Sequence, residues 1–235
     1  MLERIQNNDF VNILTGRRSV RLYDENVKIS EEEMRAIIQE ASLAPSSANM
    51  QPWRVIVVHS PEGKNKLRPL VQFNTRQNDT SAAMLIILGD TQSEVYVEEI
   101  YNMAVEQGKM PKEIRDKQVA QILSMYPQVP RELKIEIAKI DASLFAMQLM
   151  LVARAHGYDT NPMAGFDRDQ VVSAFDLDDH RYVPVMILSI GKAKDEGHES
   201  VRLHSEKITF LALMRIYFRK QKGSDRTAST LSFSY

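Results

Sequence analysis

The sequence of 235 residues contains no cysteine. This absence excludes disulfides, thiolate metal sites, iron–sulfur clusters and a cysteine nucleophile. The five histidines are scattered along the chain, and no two of them have the spacing that is typical of metal ligands. We therefore expect no metal centre. A chain without disulfides also suits a reducing compartment, and we expect a cytoplasmic location.

Long apolar runs are missing as well. No segment approaches the ~18 apolar residues of a membrane-spanning helix, and residues 1–12 lack the apolar core of a signal peptide. The formal net charge is −1, so no overall field favours nucleic acid or an anionic membrane. The sequence therefore predicts neither a nucleic-acid partner nor a membrane partner.

Several common functional motifs are absent. No Gly-x-Gly-x-x-Gly follows a predicted strand, and no Walker A lysine loop occurs. The Gly-x-Ser-x-Gly motif of serine hydrolases is absent too. A Rossmann site, a P-loop and a Ser/His/Asp triad are therefore unsupported, and the function must be inferred from other segments.

Three apolar runs predict strands, at residues 55–58, 82–88 and 183–190. The first run consists of β-branched residues, which indicates a strand buried on both faces. Pro184 interrupts only the third run and should lie near the start of that strand or on a sheet edge.

Two helical regions bear on function. Residues 131–156 predict a long helix that is apolar on most sides, which is typical of a domain centre or a subunit interface. Residues 92–130 predict helix, break and helix, an excursion that could shape an active-site rim or simply form a packed helical layer. Ser30 and Glu33 form a capping box at the start of a further, amphipathic helix.

The remaining segments give weaker patterns. The polar residues 73–78 predict a loop, and Asp167 is expected to cap a helix that runs to about Phe175. Residues 208–218 favour a helix, although a strand remains an alternative. Residues 1–222 are expected to form one domain, and the tail 223–235 contains a linker and a last segment that could pack on a partner chain.

Polar side chains cluster at three junctions between predicted elements. Residues 17–21 contain three arginines and Ser19 just past a helix end, and guanidinium groups with a hydroxyl suit a phosphate. A solvated basic turn is the alternative. The loop 45–52 is stiffened by a proline at each end, and Gly165 in the segment 162–166 permits close backbone approach. Together the three junctions could bind a phosphate and a flat heterocycle.

In this order, the motifs resemble those of the nitroreductase family of FMN-dependent oxidoreductases. Residues 17–21 match the family's Arg-x-Ser-x-Lys/Arg, and residues 44–53 match Ala-Pro-Ser-x-x-Asn-x-Gln-Pro-Trp. Residues 162–166 match Pro-x-x-Gly-Phe/Tyr, and Arg202 matches a late phosphate arginine. Asn74 falls at the family's amide position beside the flavin.

The resemblance implies an α+β fold, in which helices flank a mostly antiparallel central sheet, and an intertwined homodimer with FMN at the subunit interface. It also implies hydride transfer from NADH or NADPH through flavin N5 to a nitro compound, a quinone or a similar small oxidant, by a ping-pong mechanism. No side chain need act as an acid or base. The implied FMN-binding residues are Arg17, Arg18, Ser19, Arg21, Pro45, Ser46, Ser47, Asn49, Asn74, Gln77, Pro162, Met163, Ala164, Gly165 and Arg202.

Within that set, the resemblance implies distinct roles. Arg17, Ser19 and Arg202 would hold the phosphate, and Arg21 would lie near the pyrimidine edge of the ring and raise the flavin potential. The N–H of Gly165 would point at N5.

The sequence departs from the family at Gln77, where many nitroaromatic-reducing members have lysine, and at Ala164, where they have glutamate. These departures concern substrate preference and flavin potential. Two alternatives to the leading hypothesis remain open: a non-catalytic flavin-binding or sensor module, and another flavin chemistry on the same scaffold, such as dehalogenation or an oxygen-dependent reaction.

Overall fold

The computed structural model describes residues 4–211. The chain divides into two units, residues 1–199 and residues 200–235. The first unit carries the sheet and its helices. In the second unit, the described part contains a short 3₁₀ segment at residues 205–207.

The first unit is built around a four-stranded antiparallel sheet in the order β1-β2-β4-β3. The two central strands are rich in β-branched and other apolar residues, and every residue of β2 is buried. The antiparallel α+β sheet predicted from the sequence is thus confirmed. The strands are β1 (Trp53–Val58), β2 (Ala83–Asp90), β3 (Asp159–Met163) and β4 (Tyr182–Gly191).

Helices cover both faces of the sheet. The predicted capping box is confirmed, because Ser30 Oγ accepts a hydrogen bond from the Glu33 N–H at 3.1 Å. The predicted excursion is confirmed as helix, break and helix. The helices are α1 (Phe10–Gly16), α2 (Glu31–Ala41), α3 (Pro61–Leu67), α4 (Thr75–Thr80), α5 (Val97–Glu106), α6 (Lys112–Met125), α7 (Arg131–Ala155) and α8 (Val171–Ala174).

Two apolar layers sandwich the sheet. On one face, α2 and α7 pack against alternate residues of β2 that include Leu85 and Ile87. Trp53 stacks on Phe145 of α7 with ring centroids 5.2 Å apart. On the other face, residues 67–71 and α8 pack against the intervening β2 residues. The period of two along a strand therefore assigns α7 and the α3–α4 region to opposite faces.

Two strand predictions need correction. Val55, Ile56 and Val57 of β1 are only half-buried, because β1 is an edge strand with one neighbour. The sequence patterns did not predict β3. Its five residues carry no apolar alternation, and pairing with β4 makes them a strand. Pro184 is the third residue of β4 and lies beside a register shift. Its predicted position near the start of the strand is confirmed.

Three helix predictions also need correction. Residues 73–78 are not a loop, because they contain a 3₁₀ turn and the start of α4. The helix after Asp167 is confined to α8. Residues 209–211 of the predicted helix 208–218 form no regular structure. The rest of that helix and the tail 223–235 lie outside the described residues. Within residues 4–211, no helix is both long and apolar enough to cross a membrane.

Candidate functional site

An open cavity of about 640 Å³ lies beside the end of β3. The chain leaves the sheet after Met163, which pairs with Ile187, and runs exposed through Ala164 and Gly165. The cavity brings together many of the residues predicted from sequence, namely Arg21, Asn74, Gln77, Pro162, Met163, Ala164 and Gly165.

A short hydrogen-bond chain organises this cavity. The Asn74 side-chain amide donates to the Gly165 carbonyl at 2.8 Å, and the Gln77 amide donates to Asn74 Oδ1 at 3.2 Å. Gln77 itself is buried, with 4% of its surface exposed. Its hydrogen bond therefore holds the Asn74 side chain from the protein interior. In the part of the chain that the structure describes, no hydrogen bond uses the Gly165 N–H. That donor is available to a ligand.

Two cations also line the cavity. Arg21 and Arg76 are exposed, and neither guanidinium forms a hydrogen bond or an ion pair within residues 4–211. Arg21 is positioned by the strand edge, because Val20 N–H donates to the Thr160 carbonyl at 3.1 Å and Ser19 bridges to Thr160. Two unpaired cations beside unused polar groups favour an anionic or electron-rich ligand.

Arg18 and Ser19, in the predicted phosphate segment, differ in their surroundings. The Arg18 guanidinium donates to the carbonyl oxygens of Thr15 and Arg17, at 2.5 and 3.1 Å, and thereby caps the end of α1. Ser19 is exposed. Gly197 passes so close to this segment that a Cβ there would lie 2.6 Å from Arg18 Cβ. Arg202 belongs to the second unit, where it donates to Ser200 Oγ and the Val201 carbonyl, and its phosphate role remains a prediction.

The loop 45–52 is a second polar region with a different character. Ser46 Oγ accepts a hydrogen bond from the Gln51 N–H at 3.0 Å, and the Gln51 side chain donates to Asn49. Pro45 and Asn49 are exposed. Much of the loop's hydrogen-bonding capacity is therefore used inside the loop.

Asp141 of α7 anchors this loop. Its carboxylate accepts hydrogen bonds from the Ser47 N–H at 3.0 Å and from Ser47 Oγ at 3.3 Å. Burial raises the pKa of Asp141, and the two Ser47 bonds oppose that shift by stabilising the ionised form. Asp141 thereby connects the loop 45–52 to α7.

The two polar regions are separated in the fold. Three strand spacings, about 14 Å, lie between the edge strands β1 and β3, and Ser47 is tied to α7 on the face opposite to the α3–α4 region. Ser47 lines a different cavity of about 210 Å³, together with Ala48, Met50, Pro52, Ser93, Gln121, Ile122, Met125, Tyr126, Val129, Ile137 and Asp141. The predicted site residues are thus divided between two places on one chain.

Sequence reasoning missed several lining residues. Phe73, Thr75, Arg76 and Asn161 line the first cavity. Arg76 was missed although it precedes Gln77, the position at which a cation was expected from the family pattern. Within the described ranges, no cluster of three or more histidine or acidic side chains could hold a metal ion.

In the part of the chain that the structure describes, a polar cavity with two unpaired arginines and an unused backbone N–H lies beside the antiparallel sheet, an arrangement typical of a small-ligand-binding domain. A profile of the nitroreductase family matches residues 14–192. This chain belongs to the nitroreductase family.

Relatives from bacteria show how close the similarity is. The chain is 52% identical over 204 residues to YdgI of Bacillus subtilis, provisionally named an NAD(P)H nitroreductase, and the match covers 87% of this chain and 98% of YdgI. It is 41% identical over 214 residues to the CLA biosynthesis enone reductase of Lactiplantibacillus plantarum, covering 90% and 98%.

A solved structure from Exiguobacterium sibiricum, provisionally named a nitroreductase and in complex with FMN, is also similar. Its TM-score is 0.85 at 53% identity, and the match covers 88% of this chain and 99% of that one.

Proposed function

We propose that the protein is an FMN-dependent NAD(P)H oxidoreductase that reduces a small organic acceptor. The observation that carries this proposal is the convergence of Arg21, Asn74 and Gly165 on one cavity. The FMN-bound relative at 53% identity supports the same cofactor for this chain. A cytoplasmic location, where NAD(P)H is available, suits this activity.

The residues present fit FMN. The flavin ring needs hydrogen-bond donors at its polar edge and apolar contact on its faces. The unused Gly165 N–H and the Arg21 guanidinium are donors of the first kind, and the exposed Pro162 offers apolar surface. Arg17, Ser19 and Arg202 are the proposed phosphate ligands, because charge-assisted hydrogen bonds suit a dianion.

The cofactor supplies the electron chemistry, and this chain's residues control its surroundings. When bound, FMN would supply hydride transfer between NAD(P)H and the acceptor, in two alternating half-reactions at one site. Arg21 favours negative charge on a ligand beside it and should therefore raise the flavin potential. Asn74 fixes the Gly165 carbonyl at 2.8 Å and thereby orients the peptide that carries the Gly165 N–H.

The acceptor is proposed to be a nitro compound, a quinone or a related electron-poor molecule. An activated carbon–carbon double bond belongs to this group, because the enone reductase relative is 41% identical to this chain. All three kinds of acceptor take a hydride and then a proton. Solvent can supply that proton through the open cavity, so no acidic side chain is required.

The complete site is proposed to form between two copies of the chain. Within one copy the loop 45–52 and the Asn74 cavity lie apart, because about 14 Å separates the edge strands β1 and β3. In a dimer, the loop of one copy can lie beside the cavity of the other. The helix α7 carries an exposed apolar stripe at coiled-coil spacing that would form the interface. Its exposed fractions lie between 40% and 61%, at Leu133, Ile140, Leu144 and Met147.

The cofactor test is a visible spectrum of the purified protein and a titration with FMN. We expect a flavin spectrum at one FMN per chain, with rapid bleaching by NADH or NADPH without oxygen. Reoxidation by a nitroarene, a quinone or an enone then ranks the acceptors. A protein that binds no FMN refutes the proposal. Bound FMN without turnover on any acceptor supports the non-catalytic alternative instead.

A mixed-dimer experiment tests the shared site. One tagged copy carries Asn74→Ala with Arg21→Ala, and a second, differently tagged copy carries Ser46→Ala with Asn49→Ala. Each variant dimer alone should bind FMN weakly at both sites. The doubly tagged dimer should regain one tight site, because one of its two sites combines the intact loop of one copy with the intact cavity of the other. Equally weak binding in the mixed dimer would place the whole site in one chain.

A further inference from the structure

The side chain of Asp141 is a buried carboxylate in the middle of α7, with a residue exposure of 2%. The hydrogen bonds recorded for it both come from Ser47. Among the described residues, no basic side chain forms an ion pair with it. Burying a carboxylate without a paired cation costs free energy. A carboxylate at this position therefore suggests that its hydrogen bonds to Ser47 have a role. An apolar side chain would fill this place on α7 at lower cost.

The loop that Asp141 holds has an unusual backbone. Ala48, Asn49 and Gln51 have positive φ angles of 49°, 54° and 47°. Residues with side chains rarely adopt this left-handed region. Such a conformation persists only where the surrounding structure determines it. Three left-handed residues within four positions therefore need firm anchors.

Several hydrogen bonds anchor the loop. The Arg54 guanidinium of β1 donates to the Gln51 carbonyl at 2.9 Å, and the Asp90 N–H of β2 donates to the Pro52 carbonyl at 2.7 Å. The Tyr101 hydroxyl donates to the Ala48 carbonyl at 3.2 Å, and the Gln51 N–H donates to Ser46 Oγ at 3.0 Å. The Tyr101 bond reaches the helical excursion, and the Ser46 bond stays within the loop. The Asp141 bonds are the ones that connect the loop to α7, and they act on the residue just before the first left-handed position.

The location of Asp141 adds a further reason for its role. Its neighbour Ile140 is 61% exposed and belongs to the apolar stripe proposed as the subunit interface. A loop fixed to Asp141 is therefore fixed relative to that interface. If the site is shared between copies, this connection sets where the loop meets the cavity of the second copy.

We propose that Asp141 is a positioning residue that sets the left-handed conformation of the loop 45–52 through Ser47 and thereby places that loop as one wall of the flavin site. The flavin part rests on the function proposed above. The conformational part concerns this chain alone and can be tested without cofactor.

The test compares Asp141→Asn and Ser47→Ala with a matched control, Glu136→Gln. Glu136 is an exposed acid on the same helix, five positions earlier, so its substitution repeats the change from acid to amide away from the loop. An amide in place of Asp141 keeps one acceptor oxygen and presents an NH₂ group to the Ser47 donors. The NH₂ group can donate to Ser47 Oγ, so the substitution replaces two hydrogen bonds to a carboxylate with neutral ones.

Hydrogen exchange of the apoprotein provides the first readout. We expect amide exchange in a peptide that covers residues 45–52 to rise about tenfold in Asp141→Asn, because two hydrogen bonds to a carboxylate become weaker neutral ones. Exchange in β2 should not change. Ser47→Ala, which keeps the backbone N–H bond, should give a smaller rise. Glu136→Gln should match the unmodified protein.

FMN affinity provides the second readout. We expect Asp141→Asn to weaken FMN binding about tenfold without lowering the melting temperature of the apoprotein at neutral pH. The double variant with Ser47→Ala should be no weaker than Asp141→Asn, because both changes act on one connection. A structural defect would instead lower the melting temperature and loosen β2.

Unchanged exchange at residues 45–52 in a folded Asp141→Asn variant would overturn the proposal. If that variant does not fold, Ser47→Ala carries the same test, since faster loop exchange supports the proposal and unchanged exchange overturns it. A protein that binds no FMN at all would defeat the proposed function. The exchange result on the apoprotein would still decide whether Asp141 sets the loop.

Discussion

The two polar regions of this protein contain similar residue types and use them in opposite ways. Around Asn74 and Gly165, a backbone donor and two guanidinium groups remain without partners in the described structure. In the loop 45–52, Ser46, Ser47 and Gln51 form hydrogen bonds within the protein. The first region is therefore equipped to contact a ligand directly. The second has its polar groups engaged within the protein, as suits the proposed wall of the flavin site.

The contrast follows from what each region packs against. The Gly165 segment leaves an edge strand and faces an open cavity, so few protein groups can satisfy it. The loop 45–52 lies against α7 and the helical excursion, where Asp141 and Tyr101 meet it. Tight anchoring reduces the ordering cost when a ligand binds. The unused donors around Gly165 can then form hydrogen bonds with the ligand. A site divided between two copies can thus combine both properties.

The largest expected effect comes from separating the two regions. Ile140→Glu places a charge in the apolar stripe of α7, which is exposed in one chain and buried in the proposed dimer. We expect a folded monomer that no longer retains FMN, measured by light scattering and the flavin spectrum. The control variant Glu136→Gln should remain dimeric and keep the flavin spectrum. A monomeric Ile140→Glu variant that keeps FMN would show that one chain suffices.

The next effect concerns the phosphate. Arg17→Ala and Arg202→Ala should each weaken FMN binding by roughly 1.5–3 kcal/mol, the range for a hydrogen bond to a charged group. Titration of the apoprotein with FMN measures this change. Arg35→Ala is the control. The Arg35 side chain on α2 is 81% exposed, and the residue lies outside the predicted phosphate-binding segments. Unchanged affinity in both variants would refute the phosphate assignment.

A smaller effect is expected at Asn74. Asn74→Ala removes the neutral hydrogen bond to the Gly165 carbonyl and should weaken FMN binding by about 1 kcal/mol. Asn74→Asp should do more, since a carboxylate would repel that carbonyl. Both affinities come from the same titration. If the alanine variant binds as tightly as the unmodified protein, the Asn74–Gly165 bond does not organise the cavity.

Gly165→Ala tests whether the ligand approaches the backbone closely. Within the chain, the added Cβ would lie 3.5 Å from Asn74 Nδ2 and 3.6 Å from Gln72 Oε1, which are ordinary contacts. The free energy of unfolding of the apoprotein should therefore change by less than about 0.5 kcal/mol. Thermal melting measures this change. Flavin reduction by NAD(P)H should slow, because the methyl group would meet the ring. Equal rates would place the ring farther from Gly165.

The smallest effect is a pH dependence at Asp141. Burial raises its pKa in the folded protein above the unfolded value, so the folded state binds this proton more tightly. The resulting stabilisation is present below the usual aspartate pKa and is lost as pH rises through the raised value. The melting temperature of the unmodified protein relative to Asp141→Asn should thus fall over that interval. A constant difference would contradict the raised pKa.

Much of the fold could be predicted from local sequence patterns. The central strands β2 and β4 and the long helix α7 were predicted within a few residues, because continuous apolar runs and helical periodicity reflect deep burial. β3 was missed, since Asp159–Met163 has no such pattern and is a strand only because β4 offers it partners. Residues 73–78 were taken for a loop, because a short polar helix resembles a loop in composition.

By itself, the sequence determined the residue types at the site and their order along the chain, and these carry the family resemblance. Tertiary structure decided which of them meet. It brought Arg21, Asn74 and Gly165 to one cavity and added Arg76. It also turned Arg18 back on its own helix and bound Ser47 to Asp141. The physical reason is that hydrogen-bonding capacity belongs to a residue, whereas its use depends on neighbours that only the packed sheet and helices provide.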